Sequence, residues 1–252
     1  MRRSLSRRWR QLRTGLCFVY YGLGAVALSL ALTLREAVAG HDADLAQRWV
    51  RGGYASFIGL AERLGVLRIR TRGMEALAGP GPRLIVANHP SLIDAALIVR
   101  HLPQADCFVS PGWAAHPLLR RLVRATEALV GEGPRVVEQA AARLRAGRSV
   151  VMFPEGTRSP HDGLGRFQRG AAHVALASGC DLLPVMIRID PPTTKKGQPW
   201  YDVPDRPIDV ELAVMPPLSP SKVLDGTESA VLAARKVTAA LRESYERVLE
   251  RG

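Results

Sequence analysis

Val86 to Val99 runs VANHPSLIDAALIV: an apolar lead, then Asn88, His89, Pro90 and Ser91, then an acid at position 94 inside a second apolar run. A buried strand that breaks into polar residues before a helix is the joint at which open α/β sheets keep their chemistry. Pro90 suits a first helical position, which places Asn88 or His89 at the cap. Five residues of regular helix turn through about 500°, so His89 and Asp94 cannot share a face if both are helical. A cap or turn at His89 brings its ring back to the Asp94 carboxylate. The plainer alternative makes Asp94 a helix cap and His89 a polar turn residue.

Working outward, β-branched apolar runs occur at GVLRIR, RLIVAN, ADCFVS, SVVMFP, LLPVMIRI and IDVELAVM. Helical patterns lie between most of them, at Leu92–His101, Pro117–Leu129, Pro134–Ala146 and Gln168–Ser178, the last two closed by Gly147 and Gly179. Strand alternating with helix predicts an α/β fold with a mostly parallel sheet flanked by helices. A long helix from Glu228 to Leu249 closes the domain, and the Pro-rich stretch Pro191–Pro207 reads as a loop or lid. Two regions are expected: residues 1–64 as an N-terminal membrane-associated helical segment and 65–252 as the domain that carries the chemistry.

In the N-terminal region, Gly15 to Leu34 holds no charged side chain, and its twenty residues as a helix reach about 30 Å, the hydrocarbon thickness of a bilayer. Arg2, Arg3, Arg7, Arg8, Arg10 and Arg13 precede it, which favours a cytoplasmic N-terminus. The alternative is a signal peptide with AVA before Gly40. Against it, the apolar run exceeds the usual length of about 7 to 15 residues, and Arg35 and Glu36 crowd the cleavage point. The next segment, LAQRWVRGGYASFIGLAERL, sets Leu45, Trp49, Phe57, Leu60 and Leu64 near one helical face. It suits either a headgroup boundary or packing on the core. A full crossing by the first segment with no return would carry the rest of the chain out of the cytoplasm.

The formal charge is +12, and without the six leading arginines 29 basic residues still face 23 acidic ones. Such a body attracts phosphate on lipids, nucleic acids or small substrates. Cys17, Cys107 and Cys180 are too few and too scattered for a disulfide framework or a paired-thiolate zinc site.

A second constellation follows the strand SVVMF: PEGTRS, Pro154–Ser159. Gly156 permits close backbone approach to a ligand, Glu155 can accept from hydroxyls, and Arg158 can fork onto a phosphate. No Ser elbow or phosphate loop accompanies it; a structural turn with a surface ion pair is the plain alternative.

NHPSLID and FPEGTRS, in that order and each after a strand, resemble the glycerolipid and lysophospholipid acyltransferase family, which carries a His, four residues, Asp motif and a Phe-Pro-Glu-Gly-Thr-Arg motif. GRFQRGAAHVALASG and LLPVMI extend the similarity over about residues 65–190. The resemblance implies acyl transfer from a thioester on coenzyme A (acyl-CoA) or acyl carrier protein to the hydroxyl of a lysophospholipid-type acceptor. His89 matches the general base and Asp94 its partner. Glu155, Gly156 and Arg158 match the acceptor site, and Arg169 the basic residue at its rim. The scheme needs no cofactor, metal or covalent acyl-enzyme, and its partners are the donor, the acceptor and the lipid bilayer rather than nucleic acid. The expected location is a bacterial-type inner (cytoplasmic) membrane with the site on the cytoplasmic face.

Two departures from the family stand out: SPGWAAHP follows CFVS where many relatives have a Lys, and only Arg135 represents the middle arginine motif. The competing readings are a membrane-anchored basic protein that binds anionic lipid or other polyanions without catalysis, and a secreted hydrolase released by signal cleavage.

Overall fold

In a computed structural model the chain folds around one seven-stranded sheet. The structure describes residues 2–117, 119–160, 163–193, 198–199 and 201–250, with side chains from residue 7 onward; parts of the expected loop 191–207 and of the expected helix 117–129 lie outside them.

Two long helices come first, α1 (Arg2–Ala39) and α2 (Ala43–Arg63), joined at a turn where the Asp42 side chain accepts from Leu45 N at 2.9 Å. The strands are β1 (Leu67–Arg72), β2 (Leu84–Ala87), β3 (Asp106–Val109), β4 (Leu129–Val130), β5 (Val150–Met152), β6 (Leu182–Asp190) and β7 (Ile208–Val214). Between them lie α3 (Asp94–Val99), α4 (Pro111–Ala115), α5 (Arg120–Ala125), α6 (Pro134–Arg145) and α7 (Gly170–Ser178), and α8 (Ala230–Glu250) closes the chain.

Their order across the sheet is β1-β7-β6-β2-β5-β3-β4, and among these pairings only β6 with β7 is antiparallel. The expected mostly parallel α/β sheet is therefore present. β2 and β5 are neighbours, yet the chain leaves β2 toward β3 and leaves β5 toward β6. That divergence opens a crevice at their carboxyl ends.

One face of the sheet packs Leu67, Ile85, Val151, Val185 and Leu212 against Ile58 of α2 and Leu97 of α3. The other packs Leu84, Val86, Val150 and Met186 against Leu144, Val174 and Val237 of α6, α7 and α8. β2 is buried at all four residues, as a central strand covered on both faces requires.

Two boundaries differ from the sequence reading, and packing on the core, one of the two readings of the second helix, is the one the structure adopts. α3 starts at Asp94, so Asn88–Ser91 form a turn ahead of the helix rather than its cap. The helix expected over 117–129 is only α5, because Glu127 takes φ +50°, which ends the helix and lets Leu129 pair as β4. α2 buries Ala46, Gln47, Phe57, Ile58 and Ala61 against the body and leaves Trp49 36% exposed, so it is a core-packed helix.

α1 lies along that helix. Cys17, Ala25 and Leu32 face inward, while Leu12, Leu16, Val19, Leu23, Val26, Leu30 and Leu34 face outward. Polar ties run along its whole length. Gln11 Nε2 donates to Tyr201 O at 3.1 Å and Arg13 Nη1 to Leu64 O at 2.7 Å. Tyr20 and Ser56 share a hydroxyl bond at 2.5 Å, and Arg121 Nη2 meets Glu36 at 2.6 Å. Residues Arg7–Ala39 are long and apolar enough to cross a membrane by length and composition.

Opposite the crevice, the carboxylate of Asp106, fully buried at the start of β3, accepts from Arg148 Nε at 2.7 Å and from Gln47 Nε2 at 2.8 Å. Arg148 also reaches Asp44 at 2.8 Å, so one guanidinium ties α2 to the sheet.

Candidate active site

The crevice is built from the ends of β2 and β5. Where β2 stops, the Asn88 side chain takes over its ladder: Nδ2 donates to Ile187 O at 2.9 Å and Oδ1 accepts from Ile187 N at 2.7 Å. The amide satisfies the β6 backbone that β2 no longer reaches, so the main chain at His89 is free to leave the sheet.

The next turn is held by Asp94. One carboxylate oxygen accepts from Ser91 N at 2.7 Å and from His89 Nδ1 at 2.7 Å, and the other accepts from the Ser91 hydroxyl at 2.5 Å. Asp94 is not the cap of α3, whose N-cap is Ile93 with no side-chain cap bond; its carboxylate holds the turn that precedes the helix. Asp94 pins the turn and, with the same oxygen, fixes the ring. Because Nδ1 points at a carboxylate it carries the proton, and Nε2 is left as the basic nitrogen. Asp94 is fully buried, whereas the His89 side chain is 23% exposed and opens to the crevice. Burial pushes the Asp94 carboxyl above its usual range, while the bonds from His89 and Ser91 oppose that rise. Phe153, the first residue after β5, stacks on the imidazole with ring centroids 4.3 Å apart and planes 25° from parallel.

The second motif follows. Gly156 N donates to Phe153 O at 3.0 Å, and Gly156 takes φ +67°, a left-handed turn position that favours glycine. Arg158 is half-buried in the same turn. Glu155 is 4% exposed. Its Oε1 accepts from His89 N at 2.9 Å and the Ser159 hydroxyl at 2.7 Å, and its Oε2 accepts from Gly165 N at 2.6 Å. Ser159 N in turn donates to His89 O at 2.7 Å. This carboxylate buckles the His89 turn, the 154–159 turn and the loop before α7 together, and both its oxygens are occupied.

His89, Asp94 and Glu155 are therefore joined by hydrogen bonds at the carboxyl ends of β2 and β5, with Gly156 and Arg158 in the adjoining turn. Arg169 is exposed at the N-cap of α7, with Arg166 exposed on the same loop. Arg135 sits in the first turn of α6 and is exposed. Among the described residues no three His, Cys, Asp or Glu side chains converge as a metal set.

Sequence reasoning did not single out Asn88, Ser91, Phe153, Ser159 or Tyr245 as parts of this site. Ser91 and Phe153 lie inside the quoted motifs and were within reach. Tyr245 carried no such signal: it reads as one more apolar position of α8, yet its fully buried hydroxyl donates to Val86 O at 2.6 Å beneath the crevice. Burial, with the charge of Glu155 adding, pushes that phenol well above its ordinary value.

Beside the His89 turn lies a narrow apolar cavity of about 50 Å³. Its lining includes Ser91 and Ile93, Thr14, Cys17 and Phe18 of α1, and Val203 and Pro204.

Comparison with known proteins gives a consistent result. Residues 68–188 match the family model described as Acyltransferase. The chain is 29% identical over 133 residues to the chloroplastic 1-acyl-sn-glycerol-3-phosphate acyltransferase LPAT1 of Arabidopsis thaliana, covering 48% of this chain and 36% of that protein. It is 31% identical over 180 residues to the lyso-ornithine lipid O-acyltransferase of Pseudomonas aeruginosa, covering 66% of this chain and 65% of that one. The chain thus spans from about a third to just under two thirds of these relatives' lengths. In fold it is similar to the crystal structure of the 1-acyl-sn-glycerophosphate (LPA) acyltransferase PlsC from Thermotoga maritima, with TM-score 0.71, 22% identity, and coverage of 96% of this chain and 97% of that one.

Proposed function

We propose, for a chain whose residues 68–188 belong to the acyltransferase family, that it moves a fatty acyl group from a thioester donor, acyl-CoA or acyl carrier protein, to the hydroxyl of a lysophospholipid or related lipid. The observation that carries this reading is the 2.7 Å bond from His89 Nδ1 to buried Asp94, with the ring exposed in the same crevice as the Pro154–Ser159 turn.

In this reading His89 Nε2 takes the proton of the acceptor hydroxyl as its oxygen attacks the thioester carbonyl carbon. The tetrahedral intermediate collapses, the C–S bond breaks, and the departing thiolate takes the proton from His89. Asp94 steadies the imidazolium between those two transfers. Arg158 and Arg169 supply positive charge for a phosphate-bearing acceptor. The apolar cavity beside Ser91 is where the acyl chain enters.

The outward leucine and valine stripe of α1 supports docking on a bilayer. Because α1 is tied to the body from Gln11 to Glu36, it lies along the protein, and its stripe meets the membrane in plane. The site then faces the cytoplasmic side of an inner membrane, where acyl thioesters are made.

The test offers the purified protein, with each donor type, a panel of lyso-lipids and identifies the products by mass. His89→Ala should keep its fold and vesicle association and lose transfer; turnover like the wild type in that variant removes His89 as the base.

A further inference from the structure

The cavity holds only a few water-sized groups, and no long acyl chain fits it as it stands. Val203, 7% exposed, and Pro204 line it from the loop before β7. These two apolar residues lie between two acids that reach the first turns of α1. Asp202 pairs with Arg7 at 3.6 Å, and Asp205 pairs with Arg10 at 3.5 Å. Gln11 Nε2 adds its bond to Tyr201 O at 3.1 Å. All of these ties come from one face of the helix whose next two turns supply Thr14, Cys17 and Phe18 to the cavity lining.

The ion pairs are weakly made. Arg7 and Asp202 are each about half exposed, at 54% and 51%, and Asp205 is 94% exposed against a mostly covered Arg10 at 21%. Pairs at this exposure are screened and easily exchanged. Arg8 stands exposed between the two paired arginines, and Trp9, 57% exposed, begins the outward apolar stripe. Arg7 and Arg10 lie on the flank of α1 away from that stripe, and Arg7, 54% exposed at the helix end, is the paired arginine open to anions arriving there.

We propose that residues 202–205 plug the acyl cavity, that Arg7 and Arg10 hold the plug shut, and that the phosphates of anionic lipid release it by taking those arginines. The cavity then widens only on an anionic membrane surface, where the acyl chain is. The inference rests on the membrane-docked reading above for its purpose, and its test does not measure turnover.

Cys17 lines the cavity and is 3% exposed, so its thiol reports opening directly. Cys180, half-buried on the far side of the sheet, serves as the reference. Cys107, partly buried in β3 with its thiol pushed up to about 12 by burial, serves as a second reference whose jump in labelling marks unfolding. The full chain in neutral detergent micelles is treated with N-ethylmaleimide, and the labelled peptides are followed by mass spectrometry.

Asp202→Asn/Asp205→Asn should raise Cys17 labelling against Cys180 by about three- to tenfold, the factor that two surface pairs supply. Arg7→Gln/Arg10→Gln should do the same, with Cys107 labelling unchanged in both. Adding phosphatidylglycerol to the wild type should reproduce the rise, and adding phosphatidylcholine should not. Equal Cys17 rates in the wild type and both double variants overturn the plug. A rise with phosphatidylcholine as large as with phosphatidylglycerol overturns the lipid trigger. A jump in Cys107 labelling in one double variant marks its unfolding, and the Cys17 rate of the other double variant then decides for or against the plug.

Discussion

Asp94→Asn is the substitution that isolates one interaction in this site. Ser91 N and His89 Nδ1 both donate to the same Asp94 oxygen, each at 2.7 Å, so the asparagine carbonyl must occupy that position. Its amide then faces the Ser91 hydroxyl, which can turn to accept. The turn and the tautomer survive, and only the charge is lost. With charge centres about 4 Å apart and an effective dielectric near 20, attraction between carboxylate and imidazolium is worth about 4 kcal/mol. That is about three powers of ten in the rate of the step that makes the imidazolium. The assay is single-turnover acyl transfer from a labelled thioester, with a thermal melt of the same preparation. A rate within about tenfold of the wild type, with the fold intact, refutes the idea that Asp94 works through its charge. The melt carries a second sign. Burial raises the Asp94 carboxyl, so its ionised form is the costly one in the folded chain. The stability tied to this group is present at low pH and lost as pH rises through the raised value. Asp94→Asn should therefore gain in Tm relative to the wild type as pH rises above about 4, the ordinary carboxylate value.

Glu155→Gln sets an NH₂ group against one of the N–H or O–H donors that the carboxylate now accepts, so kcat should fall about 100-fold through a misplaced His89 turn while the acceptor KM holds; a raised KM with kcat preserved instead assigns Glu155 to acceptor binding. Arg148→Met leaves Asp106 buried with Gln47 as its remaining side-chain partner. It should lower stability by about 3–5 kcal/mol, or roughly 10 °C in Tm by calorimetry, with catalysis kept below the transition. Replacing Leu16, Leu23 and Leu30 by Ser should abolish flotation with vesicles and leave the melt almost unchanged, since all three side chains face outward; flotation like the wild type's removes this face as the membrane contact.

Much of the site could be read directly from the chain because its chemistry is local. His89, Ser91 and Asp94 close a turn within six residues, and Gly156 marks the tight turn that follows β5. The strands were legible from β-branched runs buried on both faces, and the helices of the α6 to α8 face from their periodicity. The helix boundaries were not. Glu127 turns the backbone left-handed in the middle of a helical pattern, and α3 gives up its first turn to the bonds that Asp94 makes.

What the sequence determined by itself is the set of candidate groups and the two turns that present them, because neighbours in the chain fix much of the turn geometry. Tertiary structure decided how those turns meet. Glu155 reaches the His89 backbone across 66 positions and Tyr245 reaches Val86 across 159, and α1 lies against the body by ties made at both its ends. Such pairings depend on which surfaces the folded sheet brings together, and no periodicity or spacing along the chain encodes that.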